Sequence, residues 1–138
     1  MNEHQISTAK VALASAYDAT MDFPMIVGTL IAAGFEGYTV DYRRKTCVYY
    51  LPNGQNIELP LPLDDVNVES QFVGEAVKAE IREAQNGTPG YTYKEFCRKV
   101  KAAGCAGYLV SFSGRRVLYF GRTAETHVEH FPKSIKHP

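Results

Sequence analysis

The sequence predicts an α+β protein in which helices pack on one side of an antiparallel sheet of about six strands. Two observations predict this class. The first is a repeat, because residues 23–50 return without gaps as residues 93–120, after a shift of about 70 positions. The second is that apolar residues spaced as on one helix face precede residues that alternate as in a strand. We therefore predict an internal duplication of a unit made of two helices and a three-stranded meander.

The repeat matches helix ends as well as helix faces. Gly34 and Gly104 stand where a left-handed residue ends a helix, so we predict a positive φ at both. Each of the two helices has an apolar stripe that must be buried. The stripe residues are Phe23, Ile26, Val27, Leu30 and Ala33, matched by Tyr93, Phe96, Cys97, Val100 and Ala103.

Capping signals and composition place four helices. The alanine-rich segment 7–17 predicts the first helix. Asp22 can cap the second, with a proline in its first turn. A third helix is predicted over about 69–85, and Thr92 with Glu95 forms a capping-box pattern before the fourth. Each half therefore has two helices.

Turn residues separate the predicted strands. Residues 38–50 form one hairpin and are followed, after an Asn-Gly turn, by a third strand over 57–61. Pro60 and Pro62 indicate that this strand lies at an edge of the sheet or stops early. The second hairpin turns at Ser113-Gly114, and a last strand covers about 126–131.

We predict a single domain over residues 1–138, a length that can bury a core without disulfides. The pseudo-repeats cover about 5–62 and 69–132, and residues 133–138 read as a frayed tail. No flexible linker separates the halves, so we expect them to share one core. Two separate three-stranded sheets around central helices fit the sequence nearly as well.

Charge and cysteine content point to no particular partner. The 15 basic and 15 acidic residues balance, so no overall field attracts nucleic acid or an anionic membrane. No apolar run is long enough for a membrane helix, and we expect a cytoplasmic protein. Cys47, Cys97 and Cys105 each align with an apolar residue of the other copy, which predicts buried free thiols and agrees with a reducing compartment.

One segment carries a family resemblance. Residues 32–55 read AAGFEGYTVDYRRKTCVYYLPNGQ, with an Ala-Gly helix end, a Gly-Tyr-x-Val-Asp-Tyr strand, a basic tip and a tyrosine pair. This segment resembles a family of small, uncharacterised enterobacterial and prophage-encoded proteins sometimes labelled phage envelope protein. The resemblance covers most of the chain. It implies a compact bacterial domain and brings no activity, substrate or catalytic residue.

The last strand carries the first candidate site. His127 and Glu129 replace two apolar residues of the first copy, so either this edge strand is exposed or a polar pocket has opened there. With Tyr119 they are the candidate ligand-binding residues. On a strand, His127 and His130 point to opposite faces, so we predict neither a metal site nor a cofactor.

Basic residues at the hairpin tips are the second candidate. Arg43, Arg44 and Lys45 lie at one tip, and Arg115 and Arg116 at the other, where they could bind phosphate. A two-fold axis perpendicular to the sheet would send the tips to opposite ends. We therefore expect separately solvated tips and, at most, weak nucleic-acid binding.

The preferred functional hypothesis is a non-catalytic binding or protein-interaction module. Nine tyrosines and seven phenylalanines favour it, since tyrosine suits surfaces that are covered part of the time. No catalytic set, phosphate-binding loop or dinucleotide fingerprint is recognisable. A protein partner or self-association is expected. The alternatives are an enzyme or small-molecule binder with a pocket between the halves and, less favoured, a weak nucleic-acid binder.

Overall fold

The structure is a computed structural model, and it describes residues 1–135. Each half of the chain forms two helices followed by three strands, as predicted. The elements are α1 Glu3–Asp18, α2 Phe23–Ala32, β1 Gly37–Asp41, β2 Thr46–Tyr50, β3 Asn56–Pro60, α3 Gly74–Asn86, α4 Tyr93–Ala102, β4 Cys105–Ser111, β5 Arg116–Gly121 and β6 Thr126–His130.

The six strands form one antiparallel sheet in the order β3-β2-β1-β4-β5-β6. The halves join through β1 and β4, where Gly37 lies opposite Ser111 and Asp41 opposite Gly107. The α+β class with a single sheet is thereby confirmed, and the alternative of two separate sheets is wrong. The two halves share one order of elements, which is what a duplication would produce. The duplication itself stays a prediction.

Two helices begin at other residues than the sequence predicted. α1 starts earlier because Asn2 forms a capping box with Gln5. α3 starts at Gly74 instead of about residue 69, because the preceding segment is not helical and two of its N–H groups bind the end of α4. The Glu69 N–H donates to the Lys101 carbonyl, and the Val73 N–H donates to the Ala103 carbonyl. These bonds satisfy carbonyls that a helix end leaves open.

The predicted caps of α2 and α4 are confirmed. Asp22 accepts a hydrogen bond from the N–H of Met25, and Thr92 accepts one from the N–H of Glu95. Both helix-ending glycines have a positive φ, 99° at Gly34 and 91° at Gly104. The chain therefore reverses after each helix as the repeat predicts.

One face of the sheet packs against all four helices, and the core lies between them. Alternate strand residues point into it, including Val40, Val110 and four tyrosines. The tyrosine rings meet in matched pairs, with 5.2 Å between the ring centroids of Tyr38 and Tyr49 and 5.4 Å between those of Tyr108 and Tyr119. Most of the tyrosine content is therefore core packing.

The sequence predicted a frayed tail, but the described end of the chain is packed against the rest of the protein. Ile135 is only 4% exposed, and its carbonyl accepts a hydrogen bond from Arg115 Nη2. Nearby, the rings of Phe131 and Phe23 meet edge to face. The prediction of a frayed tail is wrong at Ile135, because this apolar side chain is buried in the core. Residues 136–138 lie outside the described part of the chain.

Candidate functional site

The second face of the sheet is packed against none of the four helices, and we call it the open face. In the second half the centre of this face is apolar, and polar residues lie toward its two ends, namely Ser111, Arg116, Thr126 and His130. Leu109 lies opposite Leu118, and Leu118 lies opposite Val128, so the three form one row across β4, β5 and β6. Leu109 is 45% exposed, and the other two are half-buried. We call this set the apolar row.

Phe120 extends the apolar row along β5. Its ring lies over Gly107, where an added Cβ would come within 2.7 Å of the ring. A glycine opposite an aromatic residue lets the ring lie flat on the sheet. The apolar row and Phe120 therefore form one apolar patch on the second half of the open face.

The first half of the open face is more polar. Thr39 lies opposite Leu109 and continues its row through Val48 to Glu58. In the repeat alignment, these three residues take the positions of Leu109, Leu118 and Val128. The apolar row therefore belongs to the second half alone, and its neighbour Thr39 marks the boundary.

The structure brings together the three residues predicted as a ligand site. His127 lies opposite Tyr119 in the sheet, with 6.4 Å between their ring centroids. His127 Nε2 and Glu129 Oε2 are 3.1 Å apart, and each of these side chains is 22% exposed. They lie on the helix side of β6, at the edge. Burial raises the pKa of the Tyr119 hydroxyl well above its usual range.

The two hairpin tips lie at opposite ends of the sheet, as the symmetry argument predicted. Asp41, which leads into the first tip, lies opposite Gly107, whereas Ser111, which leads into the second, lies opposite Gly37. The five basic residues therefore do not form one anion-binding surface. The residues concerned are Arg43, Arg44, Lys45, Arg115 and Arg116.

Most of these basic side chains have local roles at their tips. Arg44 pairs with Glu58 at 3.2 Å. Arg115 lies over the Phe131 ring, with 5.8 Å between its guanidinium carbon and the ring centroid. Lys45 and Arg115 both have a left-handed backbone, with φ of 59° and 53°. The second tip therefore places its left-handed residue at Arg115, one position after the predicted Ser113-Gly114 turn.

A buried polar cluster that sequence reasoning missed surrounds Cys97. The Tyr42 hydroxyl donates to Cys97 Sγ at 3.4 Å, and the Tyr17 hydroxyl lies 3.7 Å from the same sulfur. The hydroxyls of Tyr93 and Tyr108 are hydrogen-bonded to each other beside it. Burial raises the pKa of the Cys97 thiol, and bonds from the tyrosine hydroxyls only partly offset this. The thiol is therefore protonated at neutral pH.

An ion pair closes this cluster toward solvent. Lys101 Nζ lies 2.6 Å and 2.7 Å from the two carboxylate oxygens of Asp64, with side chains 9% and 13% exposed. A cavity of about 10 Å³ lies between this pair and Cys97, which is about the space for one water molecule. It is too small for a substrate. The sequence contained one signal for this ion pair, because Lys101 in α4 aligns with the apolar Ile31 in α2.

All three cysteines are buried and free, as predicted. Burial raises the pKa of the Cys47 thiol to about 12 and that of the Cys105 thiol to about 11. A raised pKa removes the thiolate that nucleophilic or metal-binding chemistry requires. The cysteines are therefore core residues.

A larger, shallow groove of about 270 Å³ lies between α1 and β3. Its lining is mostly apolar, and neither this groove nor the small cavity is lined by His127, Glu129 or Tyr119. The groove is lined by Lys10, Leu13, Ala14, Tyr17, Leu59, Pro60 and Pro62.

In the described chain, residues 1–135, no group of three or more His, Cys, Asp or Glu residues is placed to hold a metal ion. Among those same residues, no helix has the length and apolar character needed to cross a membrane.

These features define a class: a small α+β protein whose four helices cover one face of a six-stranded antiparallel sheet and leave the other face open. Residues 11–129 match the model of the family described as Protein of unknown function (DUF1398), and the chain belongs to that family. Membership of an uncharacterised family is what the resemblance in the sequence predicted. No curated protein matches the chain.

Proposed function

We propose that this protein is a non-catalytic interaction module that binds a protein partner through the second half of its open face. The apolar row carries the proposal, because Leu109, Leu118 and Val128 present contiguous apolar side chains that none of the four helices covers. Apolar patches on a rigid surface mark interaction sites more often than scattered single residues do. A sheet offers such a surface without reorganisation on binding.

The non-catalytic part of the proposal is supported by what the reactive side chains do in the fold. Cys97 is a buried, protonated thiol, and Lys101 is held by Asp64. His127 lies in contact with Glu129 at the sheet edge. A nucleophile, a base and an orienting group that converge on a substrate-sized space would be required for catalysis.

The two other candidate functions have weaker support. A pocket between the halves would need space around His127 and Glu129, and the two cavities described above lie elsewhere. Nucleic-acid binding would need one basic surface, whereas the two tips lie at opposite ends of the sheet. The α1–β3 groove is shallow and contains a single charged residue, Lys10, which gives little basis for selecting a ligand.

We further propose a cytoplasmic location and a bacterial or prophage origin. Three buried free thiols support a reducing compartment, because such proteins need no disulfide to fold. The family resemblance in residues 32–55 supports the origin. Fractionation of cells that express the chain tests the location, and recovery in the membrane or the extracellular fraction would contradict it.

Site-specific photo-crosslinking tests the proposed interaction. A photoreactive amino acid at Leu109 would lie in the apolar row, and the same group at Thr39 would lie on the open face of the first half. We expect a discrete cross-linked species from position 109 and little or none from position 39. Replacing Leu118 by Lys in the Leu109-labelled chain should abolish that species, because a charge would then interrupt the surface.

The outcomes of this experiment are distinct. Equal cross-linking from positions 109 and 39 would contradict a binding site confined to the second half. Cross-linking that survives Leu118→Lys would show that the apolar row is not the contact surface. Mass spectrometry of the cross-linked species identifies the partner, including a second copy of the chain.

A further inference from the structure

The two edges of the sheet are built on the same pattern. Just beyond the two ends of β6, the Phe131 N–H donates to the Arg115 carbonyl, and the Gly121 N–H donates to the Glu125 carbonyl. Hydrogen-bonded pairs alternate along an antiparallel ladder, so the odd-numbered residues of β6 bond to β5. The backbone groups of Thr126, Val128 and His130 therefore point away from the sheet.

The same parity holds at the other edge. The Leu61 N–H donates to the Lys45 carbonyl, and the Leu51 N–H donates to the Gln55 carbonyl. The outward backbone groups of β3 thus belong to three residues that the repeat alignment matches with those of β6. They are Asn56, Glu58 and Pro60.

The β3 edge carries two features that block strand addition. Pro60 has no N–H to offer, and Glu58 places a charge beside the edge. Proline and charge are the usual protections of an edge strand. The matching residues in β6 are His130 and Val128, so the second edge keeps all its outward donors and has an apolar residue at its centre.

We propose that two copies of this chain associate through β6, as antiparallel edge strands about a two-fold axis at Val128. This register places Val128 opposite Val128 of the second copy and Thr126 opposite His130. All of these residues have outward backbone groups, so each ladder position can form its hydrogen bonds. A register shifted by one residue is excluded, because outward backbone groups of one copy would then face residues whose backbone groups already bond to β5.

The side chains on the helix side of β6 support the same register. An axis at Val128 places His127 of one copy opposite Glu129 of the second copy, and Glu129 opposite its His127. Residues directly opposite each other in a non-hydrogen-bonded pair have close side chains. The His127–Glu129 contact already present within one chain, at 3.1 Å, would become a ring of four alternating groups.

The open face also continues across this junction. In the proposed register, Leu109, Leu118 and Val128 of one chain meet the same row of the second copy, so one apolar band crosses both sheets. A two-fold contact uses the same surface on both copies, as a self-complementary strand requires. The occupant of the β6 edge is therefore a second copy of the chain.

Amide hydrogen exchange gives a direct test with an internal control. We expect exchange at the Val128 amide to slow as protein concentration rises, because this N–H would become hydrogen-bonded in the dimer. The Glu58 amide also points outward but lies on the blocked edge, so its exchange should not change. Val128 exchange that is as fast as that of Glu58 at every concentration would overturn the proposal.

Substitutions test the register. Val128→Glu copies Glu58 and would place two carboxylates at the axis, so we expect dimerisation to weaken by about tenfold or more. Thr39→Glu adds the same charge to the open face away from the edge and should leave the dimer unchanged. Sedimentation velocity over a wide concentration range measures both variants, and equal effects of the two would contradict edge pairing.

A charge exchange separates this register from other edge contacts. His127→Glu alone would oppose two carboxylates in each pair and should weaken the dimer. Combining it with Glu129→His restores opposite partners, so the double variant should regain dimerisation. Failure of that rescue, with circular dichroism showing both variants folded, would overturn the proposed register.

The dimer proposal and the open-face proposal can fail separately. A variant that no longer dimerises should still cross-link to another protein from position 109.

Discussion

The two halves of the molecule share a framework and differ on the open face and at the edge strands. On the core side, Val40 and Val110 take the same place, as do the tyrosine pairs beside them. On the open face, Thr39 is matched by Leu109, and Glu58 by Val128. The core side must fit one set of helices, which limits the residues it accepts. The open face is free of that limit, so a difference between the halves there points to binding.

The same comparison distinguishes the helices. α2 is apolar along its length, whereas α4 has charged residues in its last turn and a buried lysine where α2 has Ile31. The segment before α3 meets this lysine through Asp64. The second half therefore holds its connecting segment by polar contacts that the first half does not need.

The largest expected effect concerns the glycines that end α2 and α4. A Cβ on Gly104 would lie 1.9 Å from the Gln71 carbonyl oxygen, which belongs to the backbone, whereas one on Gly34 would meet only the Gln5 side chain at 3.3 Å. We expect Gly34→Ala to lower the free energy of unfolding by about 1 kcal/mol through its positive φ. Gly104→Ala should lower it by about 3 kcal/mol or more, because the backbone must also move. Urea denaturation measures both, and equal effects would contradict this difference.

The second prediction concerns the buried ion pair of the second half. Asp64→Ala would leave Lys101 buried without its counter-ion, and we expect the free energy of unfolding to fall by about 2 kcal/mol. Replacing the pair by Lys101→Ile and Asp64→Ala copies the apolar first half and should cost less than Asp64→Ala alone. Thermal unfolding compares the variants. A double variant less stable than the single one would show that Lys101 stabilises the fold without Asp64.

The same pair predicts a pH dependence. Burial acts to raise the pKa of Asp64, but hydrogen bonds from Lys101 and the Val66 N–H, with the nearby positive charges, lower it overall. A lowered pKa in the folded state gives stability that is fully present above the unfolded value of about 3.9. That stability is lost as pH falls through the folded value. Acid titration of stability should show this loss in the wild type and not in Asp64→Asn.

The third prediction exchanges the edges. Glu58→Val with Pro60→His gives β3 the outward residues of β6, so the chain would have two open edges. If β6 pairs as proposed, such a chain should form extended assemblies instead of closed dimers, because both edges can add strands. Light scattering at increasing concentration measures their growth. Adding Val128→Glu to this variant should limit assembly again, and continued growth would contradict pairing through β6.

The smallest expected effect on stability concerns the open face. Leu109→Thr copies Thr39 at a position that is 45% exposed, and we expect the free energy of unfolding to change by less than about 0.5 kcal/mol. Val110→Thr changes the buried neighbour and should cost about 1 kcal/mol or more, because a hydroxyl enters the core. Binding of a partner should be weakened by Leu109→Thr. A large loss of stability at Leu109 would mean that the open face serves folding.

Part of this molecule was predictable because local chemistry decides it. The caps at Asp22 and Thr92, the positive φ at Gly34 and Gly104, and the edge position of the strand that contains Pro60 follow from neighbouring residues. Alternation along the strands defines the side chains that share a face. Counting from the buried Tyr108 and Tyr119 would also have assigned Leu109 and Leu118 to one face of the sheet.

Tertiary structure decided the rest, because it depends on contacts between residues far apart in the chain. The non-helical segment before α3 binds the end of α4, so α3 begins only at Gly74. The order of strands joins β1 to β4 and separates the basic tips. The pairing of Lys101 with Asp64 and the burial of Ile135 also require the completed core. The sequence by itself determined the elements and their buried faces through local hydrogen bonding and apolar periodicity, whereas long-range packing alone decided which surfaces remained open.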